Sequence, residues 1–151
     1  MKNKRKNITF GKPDVGTKEI AAIKKVILSK WIGTGAITHK FENKFKNYKK
    51  ANFALAVNSC TAALHLSLIS LGIKKGDEVI TTPMTFSSTI SSIVHTGATP
   101  VLADINPDTF NIDPDSIIKK ITNKTKAIII VHLGGLSCDL DKILKIKKNY
   151  N

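Results

Sequence analysis

The sequence predicts an α/β fold in which helices cover both faces of a parallel sheet, forming a three-layer sandwich. After residue 50, short apolar runs alternate with longer segments of helical periodicity. These apolar runs are continuous, as is typical of strands buried on both faces of a parallel sheet. With 151 residues, of which 42% are hydrophobic and 23% charged, the chain is long enough to bury a core.

The first part of the chain, residues 1–50, is predicted to be a separate helical segment. Residues 17–30 place isoleucine and valine side chains at helical spacing, and we expect Thr17 to cap this helix. Two glycines in the sequence WIGTG, residues 31–35, then predict a turn.

A second helix is predicted within residues 39–50. Phe41, Phe45 and Tyr48 are spaced so that they share one face of it. We expect these three aromatic side chains to pack in a core rather than to line a binding site.

The remaining residues, 51–151, are predicted to form the sheet and its covering helices. Parallel strands joined by helices imply right-handed crossovers, and ligands bind such sheets beyond the carboxyl ends of the strands. The predicted strands are 53–57, 78–81, 100–103 and 127–131, and the predicted helices are 61–71, 87–95, 114–120 and 140–148.

The formal charge of +13 is concentrated at the two ends of the chain. Residues 1–50 carry fourteen basic against three acidic side chains, residues 51–118 two against six, and residues 119–151 eight against two. Nucleic-acid surfaces usually combine arginine with exposed aromatic side chains, but this chain has 23 lysines and a single arginine, Arg5. Solvated lysine-rich helix faces are therefore the preferred interpretation, and a nucleic-acid partner is not expected.

Cellular location is suggested by what the sequence lacks. No apolar run reaches the roughly 18 to 20 residues of a membrane helix, and the start, MKNKRKN, is not followed by the apolar core of a signal peptide. We expect a cytosolic protein. Cys60 and Cys138 are too few for a metal centre or a disulfide framework, so free thiols and no metal site are predicted.

The loop at residues 58–62 (NSCTA), which leads from the first predicted strand into a helix, has the composition of a phosphate-binding turn. Small side chains let a ligand approach the backbone, the helix start offers free N–H groups, and Ser59 and Thr61 add hydroxyls. An ordinary helix cap is the simpler alternative. Cys60 could act as a nucleophile there, but without an evident histidine partner a packing role is favoured.

The three other loops after predicted strands also contain polar or aromatic residues that could lie near a ligand. Phe86 follows a turn forced by Pro83 and could stack on a planar ring or pack in the core. The carboxylates of residues 104–113 are explained by turns and by capping of the next helix. His132 lies where a strand ends and could contact a ligand, and Gly134 beyond it indicates a tight turn.

Together these segments resemble the first half of the large domain of the DegT/DnrJ/StrS family, pyridoxal-phosphate aminotransferases that act on nucleotide-linked keto-sugars. The resemblance runs from Ile8 onward and rests on several motifs in family-like order. They are WIGTG (31–35), NSCTAALHL (58–66), GDEVITTP (76–83), GATPV (97–101), TKAII (125–129) and VHL (131–133).

The resemblance implies roles for individual residues. Ser59, Thr61 and Ala62 would bind the cofactor phosphate through hydroxyls and backbone N–H, and Phe86 would stack on the pyridine ring. Thr34 and Gly35 would lie near the substrate and the dimer interface. His132 would lie near the site without a role in proton transfer. After His132 the chain departs from the family pattern, with Gly134, Leu136 and Ser137 where Tyr, Gln and Pro are common.

The resemblance also implies that two catalytic motifs lie beyond the residues present. Transamination needs a lysine that bonds to the cofactor and an acid paired with the pyridine nitrogen. The family supplies them from motifs that would follow Asn151, and no lysine of this chain has a matching context. No catalytic residue is assigned.

The preferred interpretation is therefore part of a homodimeric sugar aminotransferase that takes its amino group from an amino acid and serves polysaccharide or lipopolysaccharide synthesis. Residues 51–151 would form the first half of the pyridoxal-phosphate-binding large domain of a fold-type-I transferase, incomplete and inactive by itself. The alternatives are one half of a split enzyme, a degenerate remnant, or a non-catalytic module that binds phosphate or nucleic acid.

Overall fold

A computed structural model describes residues 11–150. Three positions used in the sequence analysis lie outside this range: the single arginine, Arg5, the start of the resemblance at Ile8, and Asn151. The described chain divides into two units, one reaching to Ala56 and the other starting at Val57. No helix of the described residues is long and apolar enough to cross a membrane.

The first unit contains two helices, α1 (Thr17–Leu28) and α2 (Ala36–Lys49). The start of α1 differs from the prediction, because Gly16 and not Thr17 is the N-cap residue. The Glu19 carboxylate accepts a hydrogen bond of 2.7 Å from the Gly16 N–H, which satisfies a backbone donor at the helix start.

The aromatic face of α2 is not buried as predicted. Phe41, Phe45 and Tyr48 are 58%, 46% and 79% exposed, and the two phenylalanine rings contact each other with centroids 5.9 Å apart. Helical spacing identified the shared face correctly, but no described element covers it.

The segment 53–57 does not form the predicted strand. A strand needs a neighbour to accept its backbone hydrogen bonds, and the only described sheet has three strands, none of which includes these residues. Instead the Ala56 N–H donates to Glu42 Oε1 of α2 at 2.9 Å, while Glu42 Oε2 lies 3.0 Å from His39 Nδ1.

The second unit contains the sheet. Its helices are α3 (Cys60–Ser70), α4 (Ser87–His95), α5 (Pro114–Lys120) and α6 (Leu140–Asn149), and its strands are β1 (Glu78–Thr81), β2 (Thr99–Leu102) and β3 (Thr125–Ile128). Except for the missing first strand, these elements confirm the predicted alternation, with shifts of one to three residues at half of their ends. A short 3-10 helix, Leu133–Gly135, lies between β3 and α6.

The strand order is β2-β1-β3, with both pairings parallel. Val79 and Ile80 of the central strand are both fully buried and point to opposite faces of the sheet. Val79 belongs to a core with Leu68 of α3 and Ile93 of α4, whereas Ile80 belongs to a core with residues of α5 and α6. The helices therefore form a layer on each face.

The pKa of Glu42 gives a test of the first unit. The Ala56 N–H, and after it His39, lowers the pKa of this carboxyl from its ordinary value. Because the folded pKa is lowered, the stability from this contact is present above the unfolded pKa and is lost as pH falls through the folded one. A carbon-13 NMR titration of the Glu42 carboxyl should give a lower pKa in the folded chain than in urea.

The control for this titration is Ala56→Pro, which removes the N–H donor and should return the Glu42 pKa toward its value in urea. A wild-type Glu42 that titrates like the urea-unfolded residue would contradict the contact.

Candidate functional site at the carboxyl edge of the sheet

The helices on one face direct their N-termini to the carboxyl edge of the sheet. The C-terminus of α3 joins the start of β1 through a short connection at residues 71–77, and that of α4 joins β2 through residues 96–98. Both helices pack on the sheet in the core that contains Val79, so each runs antiparallel to the strand that follows it. Their first turns therefore approach the edge where β1 and β3 end.

Ser59 begins α3 as a side-chain N-cap. Its Oγ accepts a hydrogen bond of 3.1 Å from the Ala62 N–H, and its backbone carbonyl accepts one from Ala63. The cap that the sequence suggested as the simpler alternative is thus present. Positions Cys60 and Thr61 are early enough in the helix that their N–H groups have no carbonyl partner within it.

This first turn has the properties of an anion site. It contains no acidic side chain, the helix dipole adds partial positive charge, and Thr61 and Ala62 are small and half-buried. A phosphate there would share or replace the Ser59 Oγ as acceptor for the Ala62 N–H. The residues present therefore fit the phosphate of a cofactor.

Phe86 is the N-cap residue of α4, directly beyond β1. Its ring is 79% exposed, so the structure does not support the core-packing alternative. The preceding loop is held by short polar contacts: Thr85 Oγ1 lies 2.7 Å from Thr89 Oγ1, and Thr82 Oγ1 accepts the Met84 N–H at 3.2 Å. This loop presents an aromatic face at the sheet edge, where it can stack on a planar ring.

His132 follows β3 and therefore lies at the same edge, because β3 is parallel to and paired with β1. Its Nδ1 accepts a hydrogen bond of 3.0 Å from the Cys138 N–H. The neutral ring then carries its proton on Nε2. Gly134, with φ of +59°, and Gly135, with φ of +86°, turn the chain back between these two residues.

Asn111 holds this loop in place and was missed by the sequence analysis. Its buried side chain donates from Nδ2 to the Leu136 carbonyl at 3.0 Å, and its Oδ1 accepts the Leu133 N–H at 3.0 Å. The partners are 22 and 25 residues away along the chain, so no local pattern distinguishes Asn111 from an ordinary turn asparagine.

The two thiols have different environments. Both are free, as predicted, but Cys60 is exposed, which corrects the expectation of a packing role. Cys138 is buried beside Ile80 and donates to the Val131 carbonyl at 3.2 Å. Burial raises the pKa of the Cys138 thiol, which favours the protonated thiol at neutral pH. The thiol is less nucleophilic than the thiolate.

Thr34 and Gly35 belong to the first unit, whereas the sheet edge belongs to the second. Gly35 is the N-cap residue of α2, and the Trp31 Nε1–H donates to the Thr34 carbonyl at 2.9 Å. A Cβ at position 35 would overlap the Trp31 indole, with Cδ1 at only 2.7 Å. Glycine is therefore required for this close approach.

The bonds of Asn111 predict a loss of order in the loop that contains His132. Replacing Asn111→Ala leaves the Leu133 N–H and the Leu136 carbonyl without their partner, so the free energy of unfolding should fall by about 1–3 kcal/mol in urea titration. Amides 133–138 should also exchange faster with solvent. Asn111→Asp should not restore the lost stability at neutral pH, because it places a buried carboxylate against the Leu136 carbonyl.

Asn123→Ala is the matched control for this prediction, because Asn123 is exposed and its side chain makes no hydrogen bond to the described residues. Equal stability of the Asn111 and Asn123 variants would contradict the assigned role.

Known proteins resemble the chain over nearly all of its length. The spore coat polysaccharide biosynthesis protein SpsC of Bacillus subtilis (strain 168) is 48% identical over 143 residues, which are 95% of this chain and 37% of SpsC. An aminotransferase from Psychrobacter cryohalolentis has a structure that matches with a TM-score of 0.86 at 41% identity, covering 92% of this chain and 36% of that one. NtdA from Bacillus subtilis, solved with the bound cofactor PMP, matches with a TM-score of 0.84 at 34% identity, covering 90% and 32% respectively.

The chain thus spans about a third of the length of the relatives that it matches. Their structures confirm the predicted α/β fold as part of a fold-type-I domain of pyridoxal-phosphate-dependent enzymes. A family model matches residues 13–151, and the chain belongs to the DegT/DnrJ/EryC1/StrS aminotransferase family.

Proposed function

We propose that this chain supplies the phosphate-binding and ring-stacking part of a pyridoxal-phosphate-dependent sugar aminotransferase. The observation that carries the proposal is the meeting, at one sheet edge, of the α3 helix start with an exposed aromatic ring before α4. The bound PMP of NtdA and the family membership support the choice of cofactor.

In this proposal Ser59, Thr61 and Ala62 hold the cofactor phosphate through hydroxyl and backbone donors at the start of α3. Phe86 stacks on the pyridine ring and restricts its tilt. When bound, the cofactor supplies a ring that accepts electrons from the carbon undergoing reaction.

His132, Thr34 and Gly35 are proposed to lie on the substrate side. The substrate class we infer is a nucleotide-linked keto-sugar, with an amino acid such as glutamate as the amino donor. The name of SpsC supports a role in polysaccharide synthesis. The same proposal includes a homodimeric assembly and a cytosolic location. It also divides the chain into a helical segment, 1–50, and the first half of the large domain, 51–151.

The chain by itself is proposed to be inactive. Its lysines lie outside any segment that matches the family's lysine motif, and the site residues above bind and orient without offering a group that moves the proton. The lysine and the acid paired with the pyridine nitrogen would come from the part of the enzyme that this chain does not match.

An assay with pyridoxal phosphate and glutamate should therefore detect no 2-oxoglutarate above the level given by cofactor and glutamate alone. Sustained release that depends on the purified chain would contradict the proposed division of roles.

The reactivity of Cys60 tests the phosphate site without requiring activity. Because Cys60 lies in the first turn of α3, bound pyridoxamine phosphate should slow its alkylation by iodoacetamide, by about threefold at two-thirds occupancy. Pyridoxamine without the phosphate should protect much less. Mass spectrometry of the modified peptide gives the rate, and modification of the buried Cys138 would report unfolding of the chain.

Thr61→Val, which removes the hydroxyl but keeps a branched side chain of similar size, should weaken this protection. Thr99→Val is the matched control, because Thr99 is exposed and begins β2, at the opposite end of the sheet. Equal protection by pyridoxamine and pyridoxamine phosphate would refute the phosphate site.

A further inference from the structure

The amino edge of the sheet, opposite the candidate site, carries a group of exposed lysines. The connections from α3 to β1 and from α5 to β3 lie at this edge, and α6 ends there because it runs antiparallel to the strands. We call the surface that these segments form the lysine edge. Its exposed lysines are Lys74, Lys75, Lys119, Lys120, Lys124 and Lys148.

Contacts between these segments hold them side by side. The Lys124 carbonyl accepts the Glu78 N–H at 2.8 Å, which places the connection before β3 against the start of β1. A Cβ at Gly97 would lie 3.4 Å from the Lys75 Cβ, so the connection before β2 adjoins the one before β1. The end of α6 lines the same groove as residues 122–123. The lysines therefore share one surface.

The carboxylates at this edge do not neutralise the lysines. Asp77 and Glu78 are the acidic residues of these connections and strand starts, and both are half-buried. Asp77 Oδ2 accepts the Lys74 N–H at 2.9 Å, and Glu78 Oε2 accepts the Thr122 hydroxyl at 2.6 Å. None of the six lysines forms an ion pair with a residue in the range 11–150. The surface therefore keeps an excess of positive charge.

Helix ends explain only half of this cluster. Three of the six lysines lie in the last turn of α5 or α6, where a basic side chain interacts favourably with the helix dipole. Lys74, Lys75 and Lys124 lie in connections outside any helix. These three have no such stabilising role, so their position at the same edge calls for an anionic partner.

The opposite ends of the same helices are acidic. Asp113 and Asp115 lie at the start of α5. Asp139 and Asp141 lie at the start of α6, where Asp139 pairs with Lys142 at 3.2 Å. The charge of this helix layer is thus positive at the amino edge and negative at the carboxyl edge. Such an asymmetry orients a protein in the field of a charged surface.

The composition of the lysine edge fits an anionic lipid surface better than a nucleic acid. Its six cations are all lysines, whereas arginine is the residue that recognises nucleic-acid phosphates and bases through paired hydrogen bonds. Leu71 and Ile118 are 67% and 44% exposed close to these lysines along the chain. Lysines interspersed with exposed apolar side chains are typical of surfaces that lie in the headgroup region of a membrane.

We propose that the lysine edge binds peripherally to the anionic cytoplasmic leaflet of a membrane and leaves the candidate site, at the opposite edge, open to solvent. Clusters of about four to eight basic side chains bind anionic lipid headgroups. Binding of this kind is electrostatic and needs no helix that crosses the membrane. It goes beyond the proposed function and does not depend on the cofactor.

The test is sedimentation of the chain with vesicles of phosphatidylglycerol and phosphatidylcholine, compared with vesicles of phosphatidylcholine alone. We expect binding to the anionic vesicles that weakens as salt is added. Replacing Lys75→Gln together with Lys124→Gln should lower the partition coefficient by about tenfold or more, because each lysine near an anionic surface contributes to binding.

The matched control is Lys24→Gln together with Lys25→Gln. These exposed lysines belong to α1 in the first unit, and their replacement changes the net charge by the same amount. The control pair should lower the partition coefficient by less than about threefold. Equal losses for the two pairs would show that binding follows net charge alone and would overturn the proposal.

The orientation on the vesicle is tested with Cys60, which is exposed at the opposite edge. Bound vesicles should leave its rate of alkylation by iodoacetamide unchanged, while the amides of residues 74–77 and 120–124 exchange more slowly. Protection of Cys60 by the vesicles would place the lipid at the α3 start instead and would overturn the proposal. Tighter binding to a random-sequence DNA duplex than to the vesicles, at the same ionic strength, would overturn it in favour of a nucleic acid.

This outcome and that of the cofactor experiment are independent. Protection of Cys60 by pyridoxamine phosphate in a chain that does not bind anionic vesicles would contradict the lipid surface and leave the proposed function standing.

Discussion

The pairing of β1 with a parallel strand on each side is the interaction on which the rest of the second unit depends. Its backbone is hydrogen-bonded to β2 and β3, and its consecutive residues Val79 and Ile80 are fully buried in opposite cores. A helix on either face loses its support if this strand is displaced. The side-chain bond from Thr81 Oγ1 to the Ile129 carbonyl, at 3.0 Å, adds a further link between β1 and the chain beyond β3.

The candidate site follows from the same arrangement. Parallel strands end at one edge, so Phe86 after β1 and His132 after β3 come to that edge together. The α3 and α4 helices run antiparallel to the strands, so their N-termini lie at the same edge. The α3 helix contributes the turn capped by Ser59. Residues far apart in the sequence thus supply a capped helix start and an exposed aromatic ring at this edge. Long-range hydrogen bonds such as those of Asn111 hold the loops in place.

The sequence predicted best the features that are determined by local pattern. The bounds of β1 were predicted correctly, and the other observed strands were recognised from continuous apolar runs in a βαβ rhythm. The segment 53–57 has the same composition but pairs with no strand among residues 11–150, so its strand propensity alone does not produce a strand. Helical spacing likewise predicted the aromatic face of α2 but not its exposure, because burial depends on what packs against it.

Side chains that act over long distances could not be predicted in this way. The role of Asn111 becomes visible only in the folded chain, where its side chain contacts the loop at residues 133–136. Glu42 likewise accepts a hydrogen bond from a backbone group 14 residues away. Resemblance to a family supplied the roles of Ser59, Thr61, Ala62 and Phe86, which the residues alone left open between ligand binding and ordinary capping or packing. The structure shows that Ser59 caps α3. Phosphate binding at the same turn is part of the proposed function.

Native-state hydrogen exchange of the backbone amides in β1 tests the central claim most directly. If β1 organises the second unit, the amides of Val79, Ile80 and Thr81 should be among the slowest to exchange, and they should open only with the global unfolding seen in urea. Rapid exchange of these three amides under conditions in which the helices α3 to α6 remain protected would contradict the account.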